Sequence, residues 1–274
     1  MRGPHNIWRL IRTGATLART GAMNVVLDAF EATPAVRFVA RALGLPFKFL
    51  GYKGDPSMPP ATRALTALGP AYIKFGQVLS TRPDVVGDDL ALQLRVLQDK
   101  LPPFSIEEAK AEVERELGLP LDQMFSEFSE PVAAASIAQV HKARIADTGE
   151  DVAVKVLRPN IERAFRKDVD AFYLAARMVE LFSPGSRRLR PMDVITHFEG
   201  VVMGELDLRL ESSAAAEFAA NTETDAGFDV PRVLWHMSSR RVMTMDWVEG
   251  SNIGDNDALD AVGHDRRKLA ARVL

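Results

Sequence analysis

The sequence contains no cysteine among its 274 residues, which excludes disulfide bonds and thiolate metal sites and favours a reducing compartment. No apolar run approaches the roughly 18 residues that a membrane-spanning helix needs. The N-terminus has no hydrophobic stretch of the kind found in secretory signals. Together these absences predict a cytoplasmic protein.

Acidic residues are scarce at the N-terminus, where none precedes Asp28. Residues 1–54 contain eight basic and two acidic residues, a net charge of +6. Because Trp8 and aliphatic residues are interleaved with the arginines, this segment is able to lie on an anionic membrane surface. The alternative is a helix packed on the body with a solvated basic face. We expect residues 1–54 to bind an anionic membrane surface, and we expect no nucleic-acid partner, since the basic excess is confined to one end.

Glycine, proline and capping residues divide the chain into segments. The stretch "GYKGDPSMPP" at 51–60 is typical of a linker. Helical patterns follow at 61–81 and 87–99, and Ser105 with Glu108 predicts a capping box at the start of another helix. The predicted domains are a basic N-terminal helical segment with its linker, a helical extension, a sheet-containing lobe and the beginning of a further helical region, at residues 1–58, 59–130, 131–250 and 251–274.

Alternating segments predict a small antiparallel sheet after Pro131. "SIAQVHKARI" and "EDVAVKVLRP" flank the turn sequence "ADTGE" and indicate a β-hairpin. Helical patterns follow at about 160–182 and 192–222, and "DVPRVLW" with "RRVMTMDWV" predicts a second strand pair. The expected fold class is therefore α+β, a small antiparallel sheet with inserted helices, preceded by a helical extension.

The segment "DVAVKVLRP" carries the strongest chemical signal. On a strand its three valines face one way, whereas Ala153, Lys155 and Leu157 face the other. A lysine between small apolar neighbours suits contact with the phosphates of a nucleotide whose adenine rests on Ala153. The alternative is an ordinary lysine on the surface of a strand.

An alanine-rich turn precedes this strand at the distance expected of a phosphate-binding loop. Protein kinases have G-x-G-x-x-G-x-V one strand before their lysine. Here the same spacing contains Ala133, Ala135, Ala138 and Val140. Its position in the predicted hairpin favours a phosphate loop over a chance alanine-rich turn.

A kinase lysine also needs a carboxylate from a following helix. Three candidates, Glu205, Asp207 and Glu211, lie in "GELDLRLESS". Asp207 and Glu211 are four residues apart and would share one face of a helix, whereas Glu205 would lie on the opposite side. The sequence does not decide which of them pairs with Lys155, and each one taken alone is equally well explained as a solvated acid.

The segment "RVMTMDWVEG" fits the strand that leads into a kinase hinge. Met245 would be the gatekeeper, and Asp246, Trp247 and Val248 would offer backbone groups to adenine. Gly250 would mark the turn to the next lobe. An ordinary buried edge strand is the alternative.

Taken together, these motifs resemble those of the UbiB/AarF atypical kinase-like family, also called ABC1 or ADCK-type, over about residues 60–274. The matching residues, in the family's order, are Lys74-Phe75-Gly76-Gln77 for K-x-G-Q, Ala133-Ala134-Ala135-Ser136 for the alanine-rich loop, Lys155 for V-A-V-K, and Glu205-Leu206-Asp207 for E-x-D. The combination is far more specific than any single motif.

The resemblance implies a kinase-like lobe that binds ATP with Mg²⁺. In the family the K-x-G-Q helix packs over the nucleotide cleft, with Lys74 and Gln77 pointing toward the E-x-D acids and Gly76 permitting close approach. A regulatory role would thus fall to Lys74, Gly76, Gln77, Glu205 and Asp207. The nucleotide-binding residues would be Ala133, Ala134, Ala135, Ser136, Ala153, Lys155, Glu211, Met245, Asp246, Trp247 and Val248.

Two motifs of kinase chemistry are missing from the sequence, H-x-D-x-x-x-x-N and D-F-G. In the family they follow the region matched here, so we expect no catalytic residue before Leu274 and no activity from this chain alone. The implied function is the nucleotide-binding part of an ATPase or atypical kinase that supports ubiquinone biosynthesis, with quinone-biosynthesis proteins or a prenyl lipid as partners. The alternative is a non-catalytic membrane-surface or lipid-binding scaffold with a degenerate kinase fold.

Overall fold

The structure is a computed structural model that describes residues 5–29, 34, 37–38, 47–98, 103–182, 187–188, 190–225, 227–251 and 253–273. In those ranges no helix is long and apolar enough to cross a membrane. The α-helices described are α1 (His5–Thr20), α2 (Ala22–Ala29), α3 (Pro60–Leu68), α4 (Pro70–Ser80), α5 (Pro83–Val86), α6 (Asp88–Arg95), α7 (Ile106–Leu117), α8 (Leu121–Met124), α9 (Ile161–Phe182), α10 (Pro191–Glu205), α11 (Leu208–Asn221), α12 (Asn256–Ala261) and α13 (Arg266–Val273).

Four antiparallel strands form one sheet in the order β1-β2-β3-β4. They are β1 (Phe125–Ala134), β2 (Ala138–Ile145), β3 (Asp151–Leu157) and β4 (Val242–Asp246). The predicted α+β class and the β2–β3 hairpin are thus confirmed. Mixed helices around a small antiparallel sheet match a kinase-like N-terminal lobe.

Two strand predictions are wrong. The sheet begins at Phe125, before Pro131, because the polar edge strand β1 has register shifts that remove a simple alternation. The segment "DVPRVLW" is not a strand. It makes one isolated bridge, Val233 to Met245, and continues into the 3-10 turn Trp235–Met237.

Two predicted helices are each divided into two. The pattern at 61–81 becomes α3 and α4, separated by Gly69 with a φ of 111°, a conformation that favours glycine. The pattern at 192–222 becomes α10 and α11, separated at Leu206 and Asp207. The predicted capping box at Ser105 and Glu108 is confirmed at the start of α7.

Each face of the sheet is covered by its own apolar core. The valines of β3 pack with Val113 of α7 and with Val242. Leu157 and Met243 face the other way, into a core that includes Phe165 of α9 and Phe198 of α10. The predicted division of β3 into two faces is therefore observed, and each core consists of buried residues.

A buried arginine connects the helices on the two sides of the sheet. Arg241, just before β4, donates to the carboxylates of Glu112 on α7 and Glu162 on α9. Its remaining terminal nitrogen donates to the carbonyl of Arg158 at 2.8 Å. Glu112 is also paired with Arg115. Because the guanidinium is planar and presents several donors, it serves both carboxylates at once.

Gly76 lies where α4 meets its helical neighbours. A Cβ atom at this position would lie 2.4 Å from Leu97 Cδ1 and 2.6 Å from Leu65 Cδ1. Leu94 of α6 is the next nearest side chain, at 3.5 Å. The glycine is therefore explained by close packing within the helical extension.

We expect Gly76→Ala to lower the free energy of unfolding by about 1–2 kcal/mol, because the cost of overpacking exceeds the gain in helix propensity. Gly200→Ala in α10 is the matched control, since nothing lies within 4 Å of its Cβ position, and it should be neutral or stabilising. Urea denaturation of both variants tests this. A stabilised Gly76→Ala protein would contradict the packing explanation.

His141 of β2 is buried in a closed hydrogen-bond arrangement. Its Nδ1 lies 2.8 Å from the Ser129 carbonyl and its Nε2 lies 2.9 Å from Gln139 Nε2. Gln139 Oε1 in turn accepts from the Phe104 N–H at 3.0 Å, which fixes the amide so that it donates to a neutral ring. Burial, the largest cause, lowers the pKa of His141 below its ordinary value.

In the folded protein the pKa of His141 is lower than its unfolded value of about 6.5. At pH values between these two, the unfolded chain therefore binds more protons than the folded protein. The stability contributed by neutral His141 is therefore complete above about pH 6.5 and is lost as the pH falls toward the folded pKa. Thermal melts between about pH 5 and 8 should show a shallower acid loss for His141→Gln than for wild type. The exposed control His236→Gln should keep the wild-type slope; equal slopes in all three proteins would refute the assignment.

Candidate nucleotide-binding site

Lys155 lies on the inner strand β3 and forms an ion pair with a helix. Its Nζ donates to both carboxylate oxygens of Glu211 on α11, at 2.6 and 2.7 Å. The structure thus places Glu211, of the three candidate acids, beside Lys155. The lysine side chain is 23% exposed and the glutamate 47% exposed, so an anionic ligand is able to reach the ammonium group. A lysine–carboxylate pair of this kind holds the lysine for phosphate contact in protein kinases.

The sheet face around Lys155 carries apolar side chains on three strands, of which Ala153 and Met243 are buried. Directly opposite pairs put Val140 beside Lys155 and Met245 beside Ala153, so these four side chains share one face of the sheet. Met243 is the partner of Lys155 on β4. A flat apolar base could rest on such a surface while its phosphates reach the lysine. The structure therefore brings Ala153, Met245 and Lys155 together, and their nucleotide contacts stay a prediction.

The alanine-rich segment forms the turn between β1 and β2. Ala133 and Ala134 end β1, and the Ala135 N–H donates to the Ala138 carbonyl at 2.8 Å. Ser136 is buried. Among the described residues, the non-glycine positions with positive φ are Asn160 and Arg190, so the turn is built in conformations open to alanine. The turn stands one strand before Lys155, where a phosphate loop would be.

The predicted hinge carries backbone donors at Asp246, Trp247 and Val248. The Asp246 N–H donates to the Arg232 carbonyl at 3.1 Å and the Trp247 N–H to the Asp151 carbonyl at 3.2 Å. Those two donors are occupied within the lobe, and the expectation that Asp246, Trp247 and Val248 offer backbone groups to adenine stays a prediction. Within the described part of the chain, the Val248 N–H has no partner.

Lys142 is a residue near the hinge that the motif analysis missed. Its ammonium lies 4.9 Å from the centre of the Trp247 ring and 2.9 Å from Asp151 Oδ2. Glu249 is 3.7 Å away. The hydrogen bond to Asp151 is the largest cause that raises the pKa of Lys142, and the ammonium is within cation–π distance of the Trp247 ring. Its strand position opposite Ala153 was the available signal.

The E-x-D acids occupy the junction between two helices. Glu205 is the last residue of α10, and Asp207 is the N-cap of α11, where its side chain accepts from the Arg209 N–H at 3.2 Å. The Arg209 guanidinium, the largest cause, holds the pKa of Asp207 below its ordinary value. The expectation that Asp207 and Glu211 share a helical face is wrong, because the helix begins after Asp207.

The K-x-G-Q helix reaches this junction through its lysine. Lys74 Nζ lies 2.6 Å from Glu205 Oε2, and the lysine side chain is only 18% exposed. The Gln77 side chain does not contact the same junction. Its side-chain amide donates to the Leu97 carbonyl at 2.8 Å, so the expectation that Gln77 points toward the E-x-D acids is wrong. Gly76 likewise faces the helical extension rather than the acids.

The described residues bear differently on the two expected ligands, ATP and Mg²⁺. Lys155 with its apolar neighbours fits the phosphates and base of ATP. For Mg²⁺, no cluster of three or more histidine or acidic side chains able to hold a metal occurs in the part of the chain that the structure describes.

Comparisons with known proteins found a matching family model and several similar sequences. Residues 96–274 match the ABC1 atypical kinase-like domain. A "Probable protein kinase UbiB" of Azotobacter vinelandii is 38% identical over 270 residues, covering 96% of this chain and 49% of that protein. Proteins of the same name from Marinobacter nauticus and Pseudomonas aeruginosa are 40% and 42% identical over 210 residues, covering 76% of this chain and 38% and 39% of theirs. The chain thus spans less than half the length of these relatives.

The Lys74–Glu205 contact should stabilise the fold measurably. We expect a coupling free energy of about 1 kcal/mol between Lys74→Met and Glu205→Gln in a double-mutant cycle, because the lysine is largely shielded from solvent. The exposed pair Arg82 and Asp84, with side chains 57% and 62% exposed, is the control and should show no measurable coupling, because solvent and salt screen it. Equal coupling free energies in the two cycles would contradict the claim that the Lys74–Glu205 pair stabilises the fold more than an exposed ion pair does.

Proposed function

The chain belongs to the ABC1 atypical kinase-like family, and from this membership we propose that it is the nucleotide-binding part of a UbiB-type ATPase or atypical kinase. The reaction class is transfer or hydrolysis of the γ-phosphoryl group of ATP with Mg²⁺. The role that we propose for the whole protein is support of ubiquinone biosynthesis, following the name of its relatives. Its expected location is peripheral, on the inner face of the membrane.

The observation that carries this proposal is the Lys155–Glu211 pair on an apolar sheet face. ATP supplies a phosphoanhydride whose cleavage requires neutralisation of charge on its phosphates. Lys155 would contribute one positive charge there, and Glu211 would keep the ammonium aimed at the cleft before the nucleotide arrives. Ala153 and Met245 would hold the base, and the Val248 N–H would donate to its edge.

The alanine turn and the K-x-G-Q helix would restrict what enters the site. Alanine lacks the left-handed conformations of glycine, so the turn at Ala135 should be stiffer than a glycine loop. Lys74 is held at the junction that precedes the Glu211 helix. Both features favour hydrolysis or a small substrate over a peptide acceptor.

A non-catalytic scaffold that binds lipid at a membrane surface is the second candidate. Exposed aromatic residues beside arginines near the N-terminus favour it, with Trp8 46% exposed and Phe49 73% exposed. Nucleotide binding separates the two candidates, because a scaffold with a degenerate site has no need of Lys155.

Lys155→Ala should weaken binding of ATP to the 274-residue chain by about 10- to 100-fold, because a charge-assisted contact to phosphate is removed. Calorimetric titration, or a fluorescent ATP analogue if binding is weak, measures the change. Arg144→Ala is the control, a cation on the same sheet face about 13 Å along the strands. Its affinity for ATP should equal that of wild type.

Two results would count against the proposal. Equal affinity of the Lys155→Ala and wild-type proteins would remove Lys155 from the site. Absence of ATP binding by a folded wild-type chain, judged by a cooperative thermal melt, would favour the scaffold.

A further inference from the structure

The N-terminal helix α1 is docked on the body of the protein. Thr13 Oγ1 lies 2.6 Å from the Tyr72 hydroxyl, and Arg9 is paired with Asp168 of α9. Ala15 and Thr16 are buried. The side of α1 that carries Arg9, Thr13 and Thr16 is thus covered by protein, whereas Ile7 is 59% exposed. Any contact with a bilayer must use what remains exposed.

A short segment, residues 47–52, packs along a neighbouring side of α1, where it contacts Ala15, Thr16 and Arg19. The Tyr52 N–H donates to Thr16 Oγ1 at 3.0 Å, and Arg19 donates to the Gly51 carbonyl at 2.7 Å. A Cβ atom on Gly51 would lie 2.4 Å from backbone atoms of Ala15, so the two backbones touch. The segment is therefore fixed to the helix as one surface.

This surface presents aromatic rings to solvent. Trp8 is 46% exposed, Phe47 41%, Phe49 73% and Tyr52 43%. Arg12 joins two of them, because its guanidinium lies 5.9 Å from the Trp8 ring centre and 5.4 Å from that of Tyr52. We call these four aromatic residues with Arg12, Arg19, Lys48 and Lys53 the aromatic–basic surface.

The charge of this surface has one sign. Residues 5–27 and 47–54 contain no aspartate or glutamate, so the basic side chains face no acid from their own segments. Asp55, the nearest acid in sequence, is turned into a local hydrogen bond with Ser57 at 2.7 Å. Exposed phenylalanines within a cationic surface match the chemistry of an anionic bilayer, where rings enter the headgroup region and cations meet phosphates.

From these contacts we infer that the aromatic–basic surface binds an anionic lipid bilayer, with Phe47 and Phe49 entering the headgroup region. This inference rests on the peripheral membrane location in the proposed function and specifies how it is reached. The helix α1 stays docked and supplies Arg12 and Trp8, while the 47–52 segment supplies the inserting rings.

Sedimentation with phosphatidylcholine vesicles, with and without about one-third phosphatidylglycerol, tests the inference on the whole 274-residue chain. Wild type should bind the anionic vesicles and release them at high salt. The double variant Phe47→Ser/Phe49→Ser should bind about tenfold or more weakly, because two rings no longer enter the headgroup region. The control Phe218→Ser, at a ring 50% exposed on α11, should bind like wild type.

A second pair of variants guards against misfolding of the first. Lys48→Glu/Lys53→Glu changes two exposed side chains and should also reduce binding by about tenfold or more, without altering the thermal melt. Wild-type binding by both double variants would overturn the inference, even where deletion of residues 1–54 abolishes binding. Failure of wild type to bind anionic vesicles would overturn it as well. ATP titration without vesicles separates either failure from failure of the nucleotide site.

Discussion

The buried guanidinium of Arg241 is the constraint on which the arrangement of this lobe depends. It joins Glu112 of α7, which covers one face of the sheet, to Glu162 of α9, which covers the other. Glu112 is 1% exposed, and a carboxylate so deeply buried is strongly destabilising without its partner. The two helices are therefore fixed to the start of β4 from opposite sides. With both cores closed in this way, β3 holds Lys155 in one place.

Two ion pairs connect this strand and the K-x-G-Q helix to the neighbouring helices α10 and α11. Lys155 pairs with Glu211 of α11, and Lys74 pairs with Glu205, the last residue of α10. Between them lie the buried Leu206 and the capping residue Asp207. Because α11 begins at this junction, the position of Glu211 depends on where Glu205 and Asp207 are held. The helical extension and the nucleotide lysine are thus connected through one helix start.

Local patterns were sufficient where local chemistry decides the structure. The β2–β3 hairpin follows from alternation around a turn, and the α7 start follows from a Ser-x-x-Glu capping box. The faces of β3 follow from strand periodicity alone. These features also gave the placement of Lys155 and its apolar neighbours.

The remainder depended on contacts between distant parts of the chain. Arg241 meets Glu112 from 129 residues away, and nothing near either residue in sequence indicates the pairing. The strand β1 escaped prediction because its exposed, shifted pattern resembles a loop. The division at Leu206 and Asp207 did have a local signal, since an aspartate is a preferred N-cap. That signal was outweighed by a helical pattern that continues on both sides.

The K-x-G-Q helix shows how one short motif serves two neighbours. Its lysine turns toward Glu205 and the nucleotide lobe, whereas Gly76 and Gln77 face the helical extension, the first by close packing and the second by a hydrogen bond to Leu97. Lys74 and Gln77 are neighbours on the helix surface, yet their partners belong to different units. A Cβ atom at position 76 would meet Leu65 Cδ1 and Leu97 Cδ1, so the glycine allows α4 to pack closely on the extension. The glutamine adds a hydrogen bond to the same neighbour, and the lysine extends from this helix to its acid on the other side.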